Sequence, residues 1–388
     1  MTTATIAPRT MTYARARLFL GASAVGTTVV IASIALIADL PHRLLPNAPG
    51  ALTTDVALLA LVVALHAALL APFDLFGGAL LPREYGRSSE SLGRFAGRWL
   101  RGAVGYGALL TLAGSGLLIA SRSLGGAGTV IVCLLGWAIL LTMQPRIASL
   151  LGGGPIRLVT EPSLAPLGRD VFSLQSRHPH VTGGAFGLPG RTRWVVAERW
   201  IERADDVALP VQVVRRAWLT SSGARDRGVA LALAWNVAPV LVAIALLGPP
   251  TSVADVVRLG LLTTLWSFVG LLTLPTPSRW AVHRADLAAR TAGVERRTLA
   301  TSLVALERDQ DDELERSRGV ETIFHPIPST SRRLAHASLE KRLHPSDLST
   351  WHAARLALYV SVVGFGLLGR SVHCTLGRPE VWVFLPSD

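Results

Sequence analysis

Six apolar stretches punctuate the chain: residues 18–38, 52–71, 100–120 and 129–143 in the first part, then 229–248 and 256–274. At 1.5 Å per helical residue, about twenty residues cross the hydrocarbon core of a bilayer. The first three runs and the last two meet that length, and the fourth meets it when extended into its flanks. The pattern predicts six membrane-spanning helices, the last two joined by the short turn "PPTSVAD" into a hairpin. A seventh run, "LALYVSVVGFGLL" at 356–368, is too short to span and is expected to be a buried or interfacial helix. Arginines precede the first run, but no small-residue cleavage site follows it before Asp39, so it is expected to be an uncleaved anchor.

Composition supports this reading. Half of the 388 residues are hydrophobic and only 16% are charged, too apolar for a soluble domain of this length. The net charge of +12 is almost wholly arginine. These arginines lie in the polar segments without an aromatic-basic platform, which argues against a nucleic-acid partner and for a lipid bilayer. The N-terminal flank, the loop 72–99, the region 144–228 and the tail are rich in arginine, whereas 39–51, 121–128 and 249–255 are poor in it. With six spans, every arginine-rich piece falls on one side. The positive-inside bias therefore predicts a multi-pass protein of the cell membrane with both termini cytoplasmic. Two cysteines, Cys133 and Cys374, provide neither a disulfide framework nor a zinc motif.

The expected organisation is a membrane region over 1–144, a cytoplasmic part over 145–228, the hairpin over 229–275 and a second cytoplasmic part over 276–388. In the first polar part, Gly183, Gly184, Gly187, Pro189 and Gly190 bracket strand-like pieces, and "TRWVV" reads as a strand entering the helix "AERWIERA". After "ADD", where Asp205 or Asp206 would cap it, "VALPVQVVRRAWLTSSG" has a helical pattern. Past the hairpin, "RWAVHRADLAARTAG" places Val282, Ala285, Ala289 and Ala292 on one helix face with Asp286 beside them. "FHPIPSTSRRL" follows further on.

This order of elements resembles the integral-membrane zinc metalloendopeptidases of the CAAX-prenyl-protease and HtpX type. The resemblance covers roughly Gly183 to Leu339. It implies a mostly α polytopic protein with a zincin-like cytoplasmic domain, including a small strand element near 181–196, split by the membrane hairpin. In that family an HExxH helix gives two zinc-ligating histidines and the glutamate that activates water. A helix past the hairpin gives a third ligand, and a His-Pro pair with a later arginine follows.

Carried onto this chain, the histidine positions hold Arg215 and Leu219, the glutamate position holds Arg216, and the third ligand position holds Val282. Asp286, His325 and Arg332 are retained, with Arg333 the alternative to Arg332. No histidine lies between His180 and His283, so no shift in alignment restores HExxH. Arginine stays protonated and repels a dication. Zinc is therefore not expected as a cofactor. His178, His180 and His283 are the remaining candidate ligands, the last at i, i+3 from Asp286. An ion pair between Arg215 or Arg216 and Asp286 is expected in place of the metal.

Other features read more simply. His66 is expected to hydrogen-bond between helices. "FDLFGGALLPREYGR" reads as an aromatic-glycine turn into an interfacial basic loop, and "ERDQDDELERSR" at 307–318 as a solvated segment. Two functions compete. One is a catalytically inactive metallopeptidase homologue that binds membrane-protein segments or another protease, holding extended peptide along Gly183, Gly184, Ala185 and Phe186. The other is an active membrane endopeptidase with a non-standard metal site.

Overall fold

The computed structural model describes residues 11–152, 154–168, 170–176, 180–202, 208–338 and 349–383. Among these described residues, five helices are long and apolar enough to cross a membrane. They are α1 (Tyr13–Ile37), α2 (Leu52–Leu75, prolonged to Glu84), α3 (Leu92–Gly152), and a later pair described below. α3 is two of the predicted spans in one element. Its backbone leaves the helical region at Gly125 (φ 59°, ψ −144°), and Gly116 then faces Val132 while Gly105 faces Leu151. The two legs therefore lie antiparallel. The positive φ costs glycine little, so the turn needs no longer loop.

A four-stranded sheet follows, in the order β1 (Ile156–Val159), β2 (Val171–Leu174), β4 (Arg193–Ala197), β3 (Gly183–Phe186). β2 and β4 run parallel; the outer pairs are antiparallel. Its last two strands match the pattern around 181–196, whereas β1 and β2 extend the sheet beyond it. "IRLV" and "VFSL" are too short to show a clear period of two, and pairing decides them. After β4 come α4 (Glu198–Glu202), α5 (Ala208–Ser221), the membrane hairpin α6 (Ala224–Leu247) and α7 (Val253–Thr273), then α8 (Pro275–Thr291), α9 (Arg296–Asp309), α10 (Arg318–Phe324) and α11 (Thr330–Ser338). Asp205 and Asp206, proposed as caps of α5, lie outside the described residues.

The three arginine-poor loops meet at one end of the bundle. His42 bridges Asp39 at 2.8 Å and Asp255 at 3.2 Å, and Arg122 reaches Asp55 at 2.6 Å and the Thr251 carbonyl at 2.8 Å. At the other end, Arg15 of α1 pairs with Glu313 at 3.0 Å, joining the start of the first span to the polar part. The chain therefore sorts its loops as the arginine distribution requires.

The tail departs most from its sequence pattern. α12 (Ala353–Val360) descends beside α6, a short irregular turn follows, and α13 (Leu368–His373) leads the chain back. The resulting re-entrant segment touches all the spanning helices. Asn236 of α6 donates to the Ala357 carbonyl at 3.1 Å, and Trp137 of α3 to the Val360 carbonyl at 3.0 Å. Thr264 of α7 accepts from the Leu367 amide at 3.0 Å, and Thr28 of α1 meets Ser371 at 2.6 Å. Asp74 of α2 pairs with Arg370. Gln144, at the end of α3, donates to the Val383 carbonyl at 2.9 Å. Irregular backbone survives at membrane depth only where protein groups satisfy it, and these side chains do so. The 356–368 run is thus buried rather than interfacial.

Three local expectations are corrected. Residues 76–80 form a wide helical turn that continues α2 to Glu84, because Gly77 and Gly78 are buried against the backbone around Cys374 and Gly377 instead of facing the interface. His66 is buried, but its Nε2 has no hydrogen-bond partner among the described residues. The 307–318 segment is not simply solvated: Glu307 and Arg316 are buried and 3.5 Å apart.

Candidate functional site

α5 and α8 pack together, and their facing residues explain why. α8 buries Ala281, Val282, Ala285, Asp286 and Ala289 at three-to-four-residue spacing. These small side chains let α5 approach with Leu209, Val213, Arg215, Arg216 and Leu219. Leu219 and Val282, two of the positions that the resemblance sets against the family's zinc ligands, fall in one apolar cluster with Trp194, Val213 and Ala285. Neither has a lone pair to offer a metal.

Arg215, which the resemblance sets at the remaining ligand position, joins a buried ion triad. Its Nε donates to Asp286 Oδ1 at 2.7 Å and its Nη1 to Gln212 Oε1 at 2.6 Å. Arg333 of α11 approaches the same carboxylate from the other side, Nε to Oδ2 at 2.8 Å and Nη2 to Oδ1 at 2.9 Å. The three side chains are at most 1% exposed. Removing them from water is costly, and the bidentate contact from Arg333 with the bond from Arg215 offsets that cost. The expected ion pair is present, with a second arginine added.

Arg216 turns to a different partner. Its guanidinium lies over the rings of Trp200 at 5.0 Å and Trp194 at 5.7 Å, and its Nη2 donates to the Thr182 carbonyl at 3.1 Å. A cation held between aromatic faces is desolvated and immobile. It cannot act as a base, since it stays protonated. The same contact fixes the entry to β3, the strand whose Gly183, Gly184, Ala185 and Phe186 are the candidate peptide platform. β3 lies at the edge of the sheet, paired with β4 on one side.

The zinc site that the resemblance implies does not fit these residues. Zinc needs several converging nitrogen, sulfur or carboxylate donors, and here the one carboxylate accepts three arginine N–H bonds. The alternative ligands do not converge either. His180 Nε2 lies 3.4 Å from Arg17 Nη1, His283 stacks on His336 with ring centroids 4.4 Å apart, and His178 lies outside the described residues. No three His, Cys, Asp or Glu side chains cluster to hold a metal among the described residues. Burial and the neighbouring His336 push the His283 pKa down to about 4, which keeps it neutral.

His325 lines one cavity with Arg333, whereas Arg332 is not part of that lining. Arg332 turns outward to Glu321 at 2.9 Å, while Arg333 reaches Asp286. The choice between them was readable from helical spacing: Thr330, Arg333 and Ala337 share the buried face of α11. His325 holds Arg279 through its carbonyl at 3.2 Å, and its ring borders a cavity with Glu307 and Arg316. Burial and then the Arg316 charge lower its pKa to about 4, whereas burial raises that of Glu307 to about 7. Gln212 and the Trp194–Trp200 cradle carry no motif and were missed by sequence reasoning.

No protein-family model matches this chain, and no curated protein matches it. Among solved structures, it is similar to the crystal structure of S. mikatae Ste24p, with a TM-score of 0.56 and 12% identity. The match covers 74% of this chain and 76% of that one. Ste24p is an integral-membrane zinc metalloprotease of the CAAX prenyl protease family. At this identity the likeness establishes the fold: this chain is a mostly helical, multi-pass membrane protein with the architecture of Ste24p.

Proposed function

We propose that this protein is a non-catalytic relative of the membrane metallopeptidases that works by binding segments of membrane proteins or another protease. The observation that carries this reading is the buried Arg215–Asp286–Arg333 triad, in which the Arg215 guanidinium takes the place that the resemblance gives to a metal-donating histidine. The re-entrant tail supports it, because residues 353–383 fill the space between the spanning helices. The edge strand β3 is the binding element: an extended segment adds to such an edge through main-chain hydrogen bonds, with side-chain contacts giving selectivity. The arginine distribution supports insertion in the cell membrane with the polar part and both termini in the cytoplasm.

Incubating the purified protein with casein, with and without added zinc, tests the claim. Intact casein is expected in both samples. Chelator-sensitive fragments that recur in independent preparations of this protein, are absent from a mock purification and vanish in the Asp286→Ala protein would overturn it.

A further inference from the structure

α7 and α8 run almost end to end, since Leu274 between them keeps helical backbone angles (φ −70°, ψ −18°). Their exposed side chains therefore form one stripe: Val269, Thr273, Thr276 and Trp280 follow one another at three-to-four-residue spacing. Val269 and Trp280 are 44% and 53% exposed. The α7 part of this stripe faces lipid, and the stripe does not stop where the span does.

Depth follows from the charges at the other end of α7. Asp255 and Arg258 lie in its first two turns, where His42 and Arg122 join the arginine-poor loops, and charged groups belong outside the hydrocarbon core. About twenty helical residues cross that core, so a core entered at Leu259 is left near Ser278. Trp280 then stands about 3 Å beyond it, in the headgroup region that favours tryptophan. α10 lies at the same level. Arg279 Nη1 donates to the carbonyls of Thr322 at 3.1 Å and His325 at 3.2 Å, and its Nη2 to the Thr276 hydroxyl at 2.8 Å. These bonds hold the end of α10 beside the α7–α8 junction, and α10 also packs on α7 itself. On its outer face Arg318, Thr322 and Ile323 are exposed, Ile323 to 44%, while Glu321 is buried. Trp280 is steadied edge-on against His336 of α11, with 6.4 Å between ring centroids, so seating it in a membrane costs little side-chain freedom.

We propose that the face formed by Trp280, Ile323 and Arg318 is a membrane-docking surface, seated in the headgroup region of the leaflet on the arginine-rich side. Trp280 and Ile323 lie against the first methylenes, and Arg318 lies among the phosphates. The occupant is lipid because this face continues the lipid-facing stripe of α7 without a break. The contact ties α8, which carries Asp286, to the bilayer at a fixed depth. It is independent of peptide binding at β3.

Fluorescence of the full-length protein in phosphatidylcholine vesicles tests this, with chains brominated near the headgroup end as the lipid quencher and iodide as the aqueous one. The emission of Trp280 is the difference between the parent and Trp280→Phe. Brominated lipid is expected to remove most of this difference, and iodide little of it. Ile323→Cys labelled with an environment-sensitive fluorophore gives a second readout if Trp280→Phe folds poorly; Cys133 and Cys374 are buried and stay unlabelled. Its emission should be quenched by brominated lipid and lie to the blue of the same label on Thr301→Cys, an exposed position on α9 that iodide should quench instead. Quenching of Trp280 or of the Ile323→Cys label by iodide and not by brominated lipid would overturn the proposal. So would protection from both quenchers, the result expected if a second copy or another protein covered the face.

Discussion

Replacing Asp286 by alanine removes an acid that pairs with two guanidinium groups, each with a side chain 1% exposed. Four N–H groups of Arg215 and Arg333 take part in the triad and its Gln212 contact, and three of them end on this carboxylate. Without it, both guanidinium groups lose these bonds inside the packed contact of α5, α8 and α11. Breaking a buried ion pair by deleting one partner costs about 3–5 kcal/mol. With an unfolding entropy of roughly 2 cal/mol/K per residue, that corresponds to a fall of about 4–6 °C in Tm for a chain of this size. Tryptophan fluorescence during heating in detergent is a direct assay, since Trp194 and Trp200 lie in the cluster beside the triad. Asp286→Ala combined with Arg215→Met and Arg333→Met should recover most of the loss, because an apolar replacement of a whole buried triad is often neutral. An unchanged Tm in Asp286→Ala, or no recovery in the triple variant, would refute the reasoning.

Stability should also depend on pH in two opposing ways. His283 and His325 have folded pKa values lowered to about 4 from 6.5, so their contribution is complete above 6.5 and is lost as pH falls through 4; each loss should be on the order of 1–3 kcal/mol. Glu307 is raised to about 7 from 4.5, so its contribution is complete below 4.5 and is lost as pH rises through 7. Melting curves between pH 4 and 8 should therefore show an acid-side fall that flattens in His325→Asn and an alkaline-side fall that flattens in Glu307→Gln; unchanged profiles would contradict the assigned burial. Gly77→Ala should sharply reduce yield of folded protein, because its new Cβ would meet the Cys374 carbonyl and displace the re-entrant tail; size-exclusion profiles like the parent's would count against the tail's placement.

Much of the fold was legible because the bilayer imposes one rule on every span. The apolar runs had to be about twenty residues long, and the arginine-poor loops had to share a side. His42 with Asp255, and Arg122 with Asp55, now join those loops. The tail was not legible for the same reason. Its runs are short, and it lies within the bundle only because Asn236, Trp137 and Thr264 hydrogen-bond its backbone from three different helices. No local pattern records partners over a hundred residues away.

The candidate site was half legible. Asp286 stood out in its helix, and a cation opposite it followed from the order of motifs. Arg333 was selected by the three-to-four-residue spacing of the buried face of α11, which the pattern contained. The cation between Trp194 and Trp200 was not foreseeable, since β4, α4 and α5 supply it together. Nor was the cavity, whose walls come from α1, the 307–316 segment and the tail.

The central claim is that guanidinium and aliphatic groups have replaced the metal-binding chemistry of this fold. Zinc content is its most direct measure: the protein is purified without chelator in zinc-supplemented buffer, desalted, and analysed by inductively coupled plasma mass spectrometry. The account predicts zinc far below one ion per chain, unchanged by Asp286→Ala. One tightly held zinc per chain, lost in that variant, would contradict it.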